Sequence, residues 1–313
     1  MSHDMAGATL MAIGSSAPEL FVAMIAIFKP GGHADIGIGT IVGSALFNLL
    51  VIIGTVGVVK NTTLAWQLVA RDLLFYVIGI VALFYVLNNG HVSMLEAGVF
   101  LAIYAIYVFC VVKWRRWFKY KTYDEDPVAE EEEAKKGLMK IFMPFDWLLD
   151  LFFPKPKYYF AVFFISIGFI GALCWVLVES AIVISHTLEI PEVVIALTVL
   201  AVGTSVPDMM SSVIVAKQGR GGMAVSNGIG SNIFDIFVGL GLPWMIKSYL
   251  VDSELVTNIE GLSISIALLF GSVLLLLGAL IYQKWRLNHR LGYILIILYL
   301  AYLVWEILRI YID

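Results

Sequence analysis

The chain reads as long apolar stretches separated by short polar connections. Nine stretches are long enough to matter: about 6–28, 35–59, 69–88, 92–112, 158–185, 191–217, 222–246, 258–282 and 291–311. A helix needs about 20 apolar residues to cross a bilayer, so the pattern predicts nine membrane-spanning helices. A transmembrane barrel strand needs only about ten alternating residues, and these stretches run far beyond that. A single long polar segment interrupts the pattern, residues 113–157. It holds ten Lys and Arg, the run Asp124-Glu125-Asp126 and the run Glu130 to Glu133. Such a segment reads as a solvated loop, and it lacks the spacing of a Ca2+-binding loop. Trp114 and Trp117, set among Lys113, Arg115 and Arg116, read as an interfacial anchor. That basic cluster is also placed to meet anionic lipid.

Composition sharpens the class. Apolar residues make up 60% and charged residues 14%, against roughly 25% charged in an average soluble protein. Too few polar side chains are present to coat a water-soluble globule, which excludes an ordinary cytosolic enzyme, a nucleic-acid binder and a disordered chain. The net charge of −4 implies no charged partner beyond the lipid bilayer. Met1-Ser2-His3-Asp4 has no basic n-region, so no signal peptide is read there. Cys110 and Cys174 lie in apolar stretches and suggest neither a disulfide framework nor a metal pair. With residues 113–157 in the cytoplasm and the sides alternating, seventeen of the twenty Lys and Arg fall inside. That bias sets the orientation, with the first residues of the chain inside and the last outside.

The chain also repeats itself. Gly14-Ser15-Ser16-Ala17-Pro18-Glu19 resembles Gly203-Thr204-Ser205-Val206-Pro207-Asp208, and Gly43-Ser44-Ala45-Leu46-Phe47-Asn48 resembles Gly230-Ser231-Asn232-Ile233-Phe234-Asp235. Order and spacing match in both copies. The first motif lies on spans 1 and 6, five crossings apart, so the two copies run in opposite directions. Inverted repeats with interrupted helices mark transporters, with the substrate site at the midplane where the copies meet.

In each motif a hydroxyl stands one helical turn before a carboxylate or amide: Ser15 and Glu19, Ser44 and Asn48, Thr204 and Asp208, Ser231 and Asp235. Residues at i and i+4 share a helix face. Pro18 and Pro207 lack an N–H and free the carbonyls of Gly14 and Gly203, and broken helices at membrane depth belong where they line a polar cavity. The set offers carboxylate, amide, hydroxyl and carbonyl oxygens, which suits Ca2+ with its six to eight oxygen ligands and also alkali ions. Glu19, Asp208 and Asp235 sit well inside their spans, where an acid costs several kcal/mol, and no Lys or Arg lies deep enough to pair with them. One Ca2+ and one monovalent cation would balance the three charges. The remaining polar residues read as structural. Gly39, Gly43, Gly54 and Gly57 suit close helix packing. Asp72, Glu96 and Glu306 are read as interfacial, Glu179 as reaching water, and His33, His91, His186 and His289 as lying in connections.

The paired motifs resemble the two repeats of the cation/Ca2+ exchanger superfamily. Ala6-Gly7-Ala8-Thr9 leading into Gly14–Leu20, Gly37–Ser44, and Met223–Ser226 followed by Gly230–Asp235 are typical of its K+-dependent Na+/Ca2+ exchanger branch. The resemblance covers both repeats and most spans, but not residues 113–157. It implies Glu19 and Asp208 as central Ca2+ ligands, shared in turn with Na+. It implies Ser15, Ser16, Ser44, Asn48, Thr204, Ser205 and Ser231 as further oxygen donors, with the Ala12 and Ala201 carbonyls lining outlying Na+ sites. Asn232 joins the candidate set from the same motif. Asp235 matches the acid linked to K+ dependence. The family has ten helices, five per repeat, so the count here implies that the first helix of repeat one is absent.

The expected architecture is therefore an all-α polytopic membrane protein of two inverted repeats: a truncated first repeat over 1–112, a cytoplasmic loop over 113–157 and a second repeat over 158–313. The expected activity is antiport of Ca2+, with or without K+, against Na+ across a plasma membrane or bacterial inner membrane, without a cofactor or enzymatic chemistry. A Ca2+/H+ antiporter and a Ca2+-permeable channel are the alternatives. An intramembrane aspartyl protease using Asp208 and Asp235 is disfavoured, because neither acid has a Gly-x-Gly-Asp context.

Overall fold

The computed structural model describes residues 3–118, 120, 152, 158–251, 255–256 and 262–309. Most of the 113–157 segment lies outside the described residues. Among the described residues eight helices are long and apolar enough to cross a membrane. They are α3 (Ala34–Val59), α4 (Trp66–Asn88), α5 (Met94–Trp117), α6 (Phe160–Leu188), α7 (Glu192–Lys217), α8 (Gly221–Val251), α9 (Ser263–Tyr282) and α10 (His289–Arg309). A ninth crossing is a bent pair, α1 (Gly7–Ser15) and α2 (Ala17–Phe28), which meet at 49°. All nine coincide with the apolar stretches read from the sequence.

Two short strand pairs test the alternation of sides. Strand β1 (Thr62–Thr63), between α3 and α4, pairs antiparallel with β4 (Arg286–Leu287), between α9 and α10. Strand β2 (His91–Val92), between α4 and α5, pairs with β3 (Leu255–Val256), between α8 and α9. Paired connections must lie on one side of the membrane. Alternation puts the first pair on the side of the 113–157 segment and the second pair on the other, as nine crossings require.

The core is built where the repeats cross. Gly43 of α3 lies so close to α7 that a Cβ there would meet the Leu197 carbonyl and sit 2.6 Å from the Ala201 Cβ. Its repeat mate, Gly230 of α8, faces α1 at Ala8, where a Cβ would come 2.9 Å from the carbonyl oxygen. Small residues let the backbones approach when lipid supplies no hydrophobic drive for association. Each repeat thus packs the span that follows its own broken span against the broken span of the other. Ile38, Ile41, Val42, Ile229 and Ile233 fill the layer around these crossings. Helix α6 stands outside it. Cys174, Val178 and Ala181 pack against Val22, Ala26 and Leu200, while Phe160, Phe163, Phe164, Leu173 and Trp175 face outward.

Two acids read as interfacial are covered by protein. Asp72 and Glu306 are fully buried near the ends of their helices. Asp72 accepts from Arg71 Nε at 2.7 Å and from the Tyr107 hydroxyl at 3.1 Å, and Arg71 in turn stacks over Trp114. Glu306 lies 3.9 Å from Arg309 Nη1. Elsewhere, His33 Nδ1 stands 2.9 and 2.8 Å from the two Glu192 carboxylate oxygens, and Lys29 pairs with Glu179. Glu96 completes a capping box with Ser93 at the start of α5.

Candidate ion-binding site

The helix breaks fall at Ser16 and Ser205. Pro18 and Pro207 then occupy the first turn of the second half-helix, where a missing N–H leaves no bond unmade. Glu19 and Asp208 follow directly, in the same first turn. The half-helix dipole favours a carboxylate there by about 0.3–1 kcal/mol. At the breaks the Ala12 and Ala201 carbonyls accept the Ser16 and Ser205 N–H groups at 3.0 and 3.3 Å.

Four π-helical turns frame the site, and they obey the repeat. Gly7–Met11 corresponds to Ala196–Leu200, just before the breaks. Asn48–Ile52 corresponds to Asp235–Leu240. Such bulges concentrate at functional sites. The first pair is stabilised alike in both copies: Thr9 Oγ1 donates to the Met5 carbonyl and Thr198 Oγ1 to the Val194 carbonyl, each at 2.6 Å. The second pair begins at the two residues that the motif match singled out, Asn48 and Asp235.

Glu19, Asp208, Asp235, Asn48, Ser16, Ser44, Ser205, Ser231 and Asn232 are fully buried, and Thr204 nearly so. Ser15 is half-buried. Asp208 is well supplied with donors. Asn48 Nδ2 donates to its Oδ2 at 3.1 Å and Ser231 Oγ to its Oδ1 at 3.0 Å, with Ser15 alongside. Glu19 has less. Ser205 Oγ donates to Oε1 at 3.3 Å, Thr204 lies alongside, and Oε2 has no partner among the described residues. Asp235, with Ser16 beside it, has no partner at either oxygen. Asn232 Nδ2 crosses between repeats to the Ala45 carbonyl at 3.0 Å, which leaves its Oδ1 unpartnered. Ser15, Ser44 and Thr204 donate back to their own helices, to Met11, Ile41 and Leu200.

The two halves differ most in charge at one matched position, Asn48 against Asp235. In one, the amide of Asn48 bridges to the Asp208 carboxylate. In the other, Asp235 takes the matched place and lies within electrostatic reach of Glu19. Ionised carboxylates only accept hydrogen bonds, so that half has no internal donor equivalent to Asn48. Buried anions need a compensating positive charge, and the unpartnered atoms of Glu19, Asp235, Asn48, Asn232 and Ser16 are oxygens. An oxygen-rich, donor-poor and anionic centre fits cations such as Ca2+, Na+ or K+ as cargo. No cluster of three His, Cys, Asp or Glu occurs among the described residues; hydroxyls and amides make up the rest of the set.

The sodium/calcium exchanger protein family model matches residues 1–113 and 158–308, both repeats but not the segment between them. The chain belongs to this family. Among curated relatives, sodium/potassium/calcium exchanger 5 of Homo sapiens is 32% identical, over 96% of this chain and 75% of its own length. Sodium/potassium/calcium exchanger 4 of Mus musculus is 28% identical, over 98% and 76%. Among solved structures, the sodium-calcium exchanger NCX_Mj soaked with Na+ and Ca2+ aligns with a TM-score of 0.59 at 25% identity, covering 96% of this chain and 86% of that one. The chain is thus an integral membrane protein with the exchanger fold.

One signal escaped the sequence reading. Tyr104-Ala105-Ile106-Tyr107 of α5 and Tyr299-Leu300-Ala301-Tyr302 of α10 are a third repeated element. The Tyr104 ring meets Phe234 edge-on at 5.6 Å, and the Tyr299 ring meets Phe47 edge-on at 5.4 Å. Phe234 and Phe47 directly precede Asp235 and Asn48. A search for tyrosine pairs at equal spacing would have found it.

Proposed function

We propose that this chain is a secondary antiporter that moves Ca2+ against Na+ by alternating access. Glu19 and Asp208 bind Ca2+ and Na+ in turn, and mutual exclusion at these two carboxylates couples the fluxes. Ser15, Ser16, Ser44, Asn48, Thr204, Ser205, Ser231 and Asn232 supply neutral oxygens, and the Ala12 and Ala201 carbonyls line the outlying positions. The observation that carries the reading is the pair of buried carboxylates, one from each inverted repeat, at the first turn of two half-helices. Coupling requires that each ion bind one conformation better than the other. Helix α6, largely lipid-facing and joined to the core through a small apolar cluster, is suited to shift against it.

Asp235 adds a third charge, and K+ moves with Ca2+ at that position in this reading. The similarity to sodium/potassium/calcium exchangers supports it. The transmembrane repeats comprise 1–112 and 158–313, and residues 113–157 lie in the cytoplasm, as the seventeen-to-three distribution of Lys and Arg supports. Cysteines introduced at Thr62 and at Asn89 test the orientation with an impermeant thiol reagent on right-side-out cells. Labelling at Asn89 alone is expected, and labelling at Thr62 alone would reverse the topology. Ion flux in proteoliposomes tests the activity. Ca2+ uptake driven by an outward Na+ gradient is expected; uptake driven by a pH gradient alone would make the coupling ion H+.

A further inference from the structure

The seam between α7 and α8 carries two rungs of hydrogen bonds, and the proposed site uses only one. In the first, Ser231 Oγ donates to Asp208 Oδ1 at 3.0 Å. One turn along both helices, Asn227 Nδ2 donates to Ser212 Oγ at 2.9 Å and lies 3.5 Å from Ser211 Oγ. Asn227 and Ser231 share a face of α8, as Asp208 and Ser212 share a face of α7. Ser211 and Ser212 direct their own protons to backbone carbonyls, Asp208 at 2.9 Å and Ala224 at 3.4 Å. They therefore turn lone pairs to the amide, and Asn227 faces them with its N–H groups. Asn227 Oδ1 is left over, fully buried and without a partner among the described residues. A buried acceptor left unpaired costs about 1–3 kcal/mol.

The other repeat shows that the helix crossing does not need this second rung. Counted from the matched acids and serines, Ser211, Ser212, Ala224 and Asn227 correspond to Val22, Ala23, Gly37 and Thr40. There α2 and α3 close directly: a Cβ on Gly37 would lie 2.9 Å from the Ala23 Cα. Thr40 Oγ1 donates to the Ile36 carbonyl of its own helix at 2.7 Å, and Val22 and Ala23 offer no side-chain oxygen. Direction gives the difference a meaning. Beyond Asp208, α7 runs to Lys217, and α8 begins at Gly221, which packs on Thr62 of β1. The second rung thus lies between Asp208 and the side of the 113–157 segment, while Val22, Ala23 and Thr40 lie between Glu19 and the opposite side. Past the rung, fully buried Ala216 and Ala224 close the seam.

We propose that Asn227, with Ser211 and Ser212, is a transfer subsite for Na+ passing between Asp208 and the side of the 113–157 segment. The inference rests on the reading of Asp208 as a ligand shared by Na+ and Ca2+. Asn227 Oδ1 is free to accept, and each serine oxygen, with two lone pairs and one proton, keeps one lone pair for the ion. The step holds no carboxylate, so it suits a monovalent ion in passage better than Ca2+, which takes six to eight oxygens and favours carboxylates. Parting of the helices at Ala216 and Ala224 opens the step to water. Asp208 is then one turn away, about 5–6 Å between Cβ atoms.

The test is ⁴⁵Ca2+ flux through the full chain in vesicles sealed in either orientation, with Na+ titrated on one face at a time. Asn227→Thr and Ser212→Ala install the residues of the other repeat, Thr40 and Ala23, at the matched positions, and Thr40→Val is the control. Asn227→Thr and Ser212→Ala are each expected to raise the half-activating Na+ concentration about fivefold, ~1 kcal/mol, on the face of the 113–157 segment and to leave it within about twofold on the other. Thr40→Val is expected to stay within about twofold on both faces. Equal shifts on both faces mark the rung as interhelical packing alone and overturn the inference. No shift on either face, a shift confined to the opposite face, or the same one-sided shift in Thr40→Val also overturns it. Where Asn227→Thr fails to fold, Ser212→Ala decides. Wild-type flux that needs no Na+ on either face overturns instead the exchange reading beneath it.

Discussion

Replacing Asp235 by Asn gives both halves of the site an amide at the matched position, and the structure says what that does. In the first half Asn48 Nδ2 donates to Asp208 at 3.1 Å. In the second, Asp235 lies within electrostatic reach of Glu19 with no bond at either oxygen. Like charges in contact, at about 4 Å, repel by at most roughly 4 kcal/mol at an effective dielectric of about 20. Removing one charge relieves that repulsion. The new amide then donates to Glu19 as Asn48 does to Asp208, which adds about 1.5–3 kcal/mol for a bond to a charged group. Allowing for partial screening by bulk cations, the cation-free variant gains on the order of 3–5 kcal/mol. At roughly 2 °C per kcal/mol, its melting temperature in K+-free, Ca2+-free buffer rises by about 5 °C or more. The wild type recovers stability when a cation binds, by about 2.7 kcal/mol at a hundredfold excess over Kd, and the variant loses that increment for K+. Thermal unfolding in detergent micelles, with K+ titrated in, reads both effects. An unchanged or lower melting temperature without cations, together with undiminished stabilisation by K+, would refute the account of this half-site.

Three further variants separate site from scaffold. Asp208→Asn removes the acceptor of Asn48 and Ser231 together with a central negative charge, and is expected to abolish Ca2+ uptake in vesicles; wild-type-like uptake would sink the assignment. Gly43→Val places methyl groups against the Leu197 carbonyl and Ala201, backbone that cannot yield, and should cost about 1–3 kcal/mol or more in stability, measured as a lowered melting temperature. Asp72→Asn strands the buried Arg71 guanidinium and should cost about 3–5 kcal/mol while Ca2+ affinity in the folded fraction stays within about twofold. A large change in that affinity would tie the Arg71–Asp72 pair to the site.

The spans were legible because a membrane imposes one length and one composition, and the repeat because Pro18 and Pro207 stand in matched hexapeptides. The candidate oxygens were legible for the same reason. The π turns at Gly7, Asn48, Ala196 and Asp235 were not, since an added residue in a uniformly apolar helix leaves no mark in its hydrophobic pattern. Tyr104 and Tyr299 lie in uniformly apolar spans, and only the fold shows which rings they meet. Asp72 was assigned to the interface because it lies near a span end, and a sequence pattern does not show which neighbouring helix covers it. In the fold Tyr107 and Trp114 of α5 enclose it with Arg71.

The central claim is exchange at a shared site, and ⁴⁵Ca2+ uptake into proteoliposomes preloaded with Na+ tests it most directly. The account predicts uptake that requires internal Na+, is accelerated by external K+, and is lost in Asp208→Asn. Ca2+ flux that is equally fast without any Na+ gradient, and persists in that variant, would contradict it.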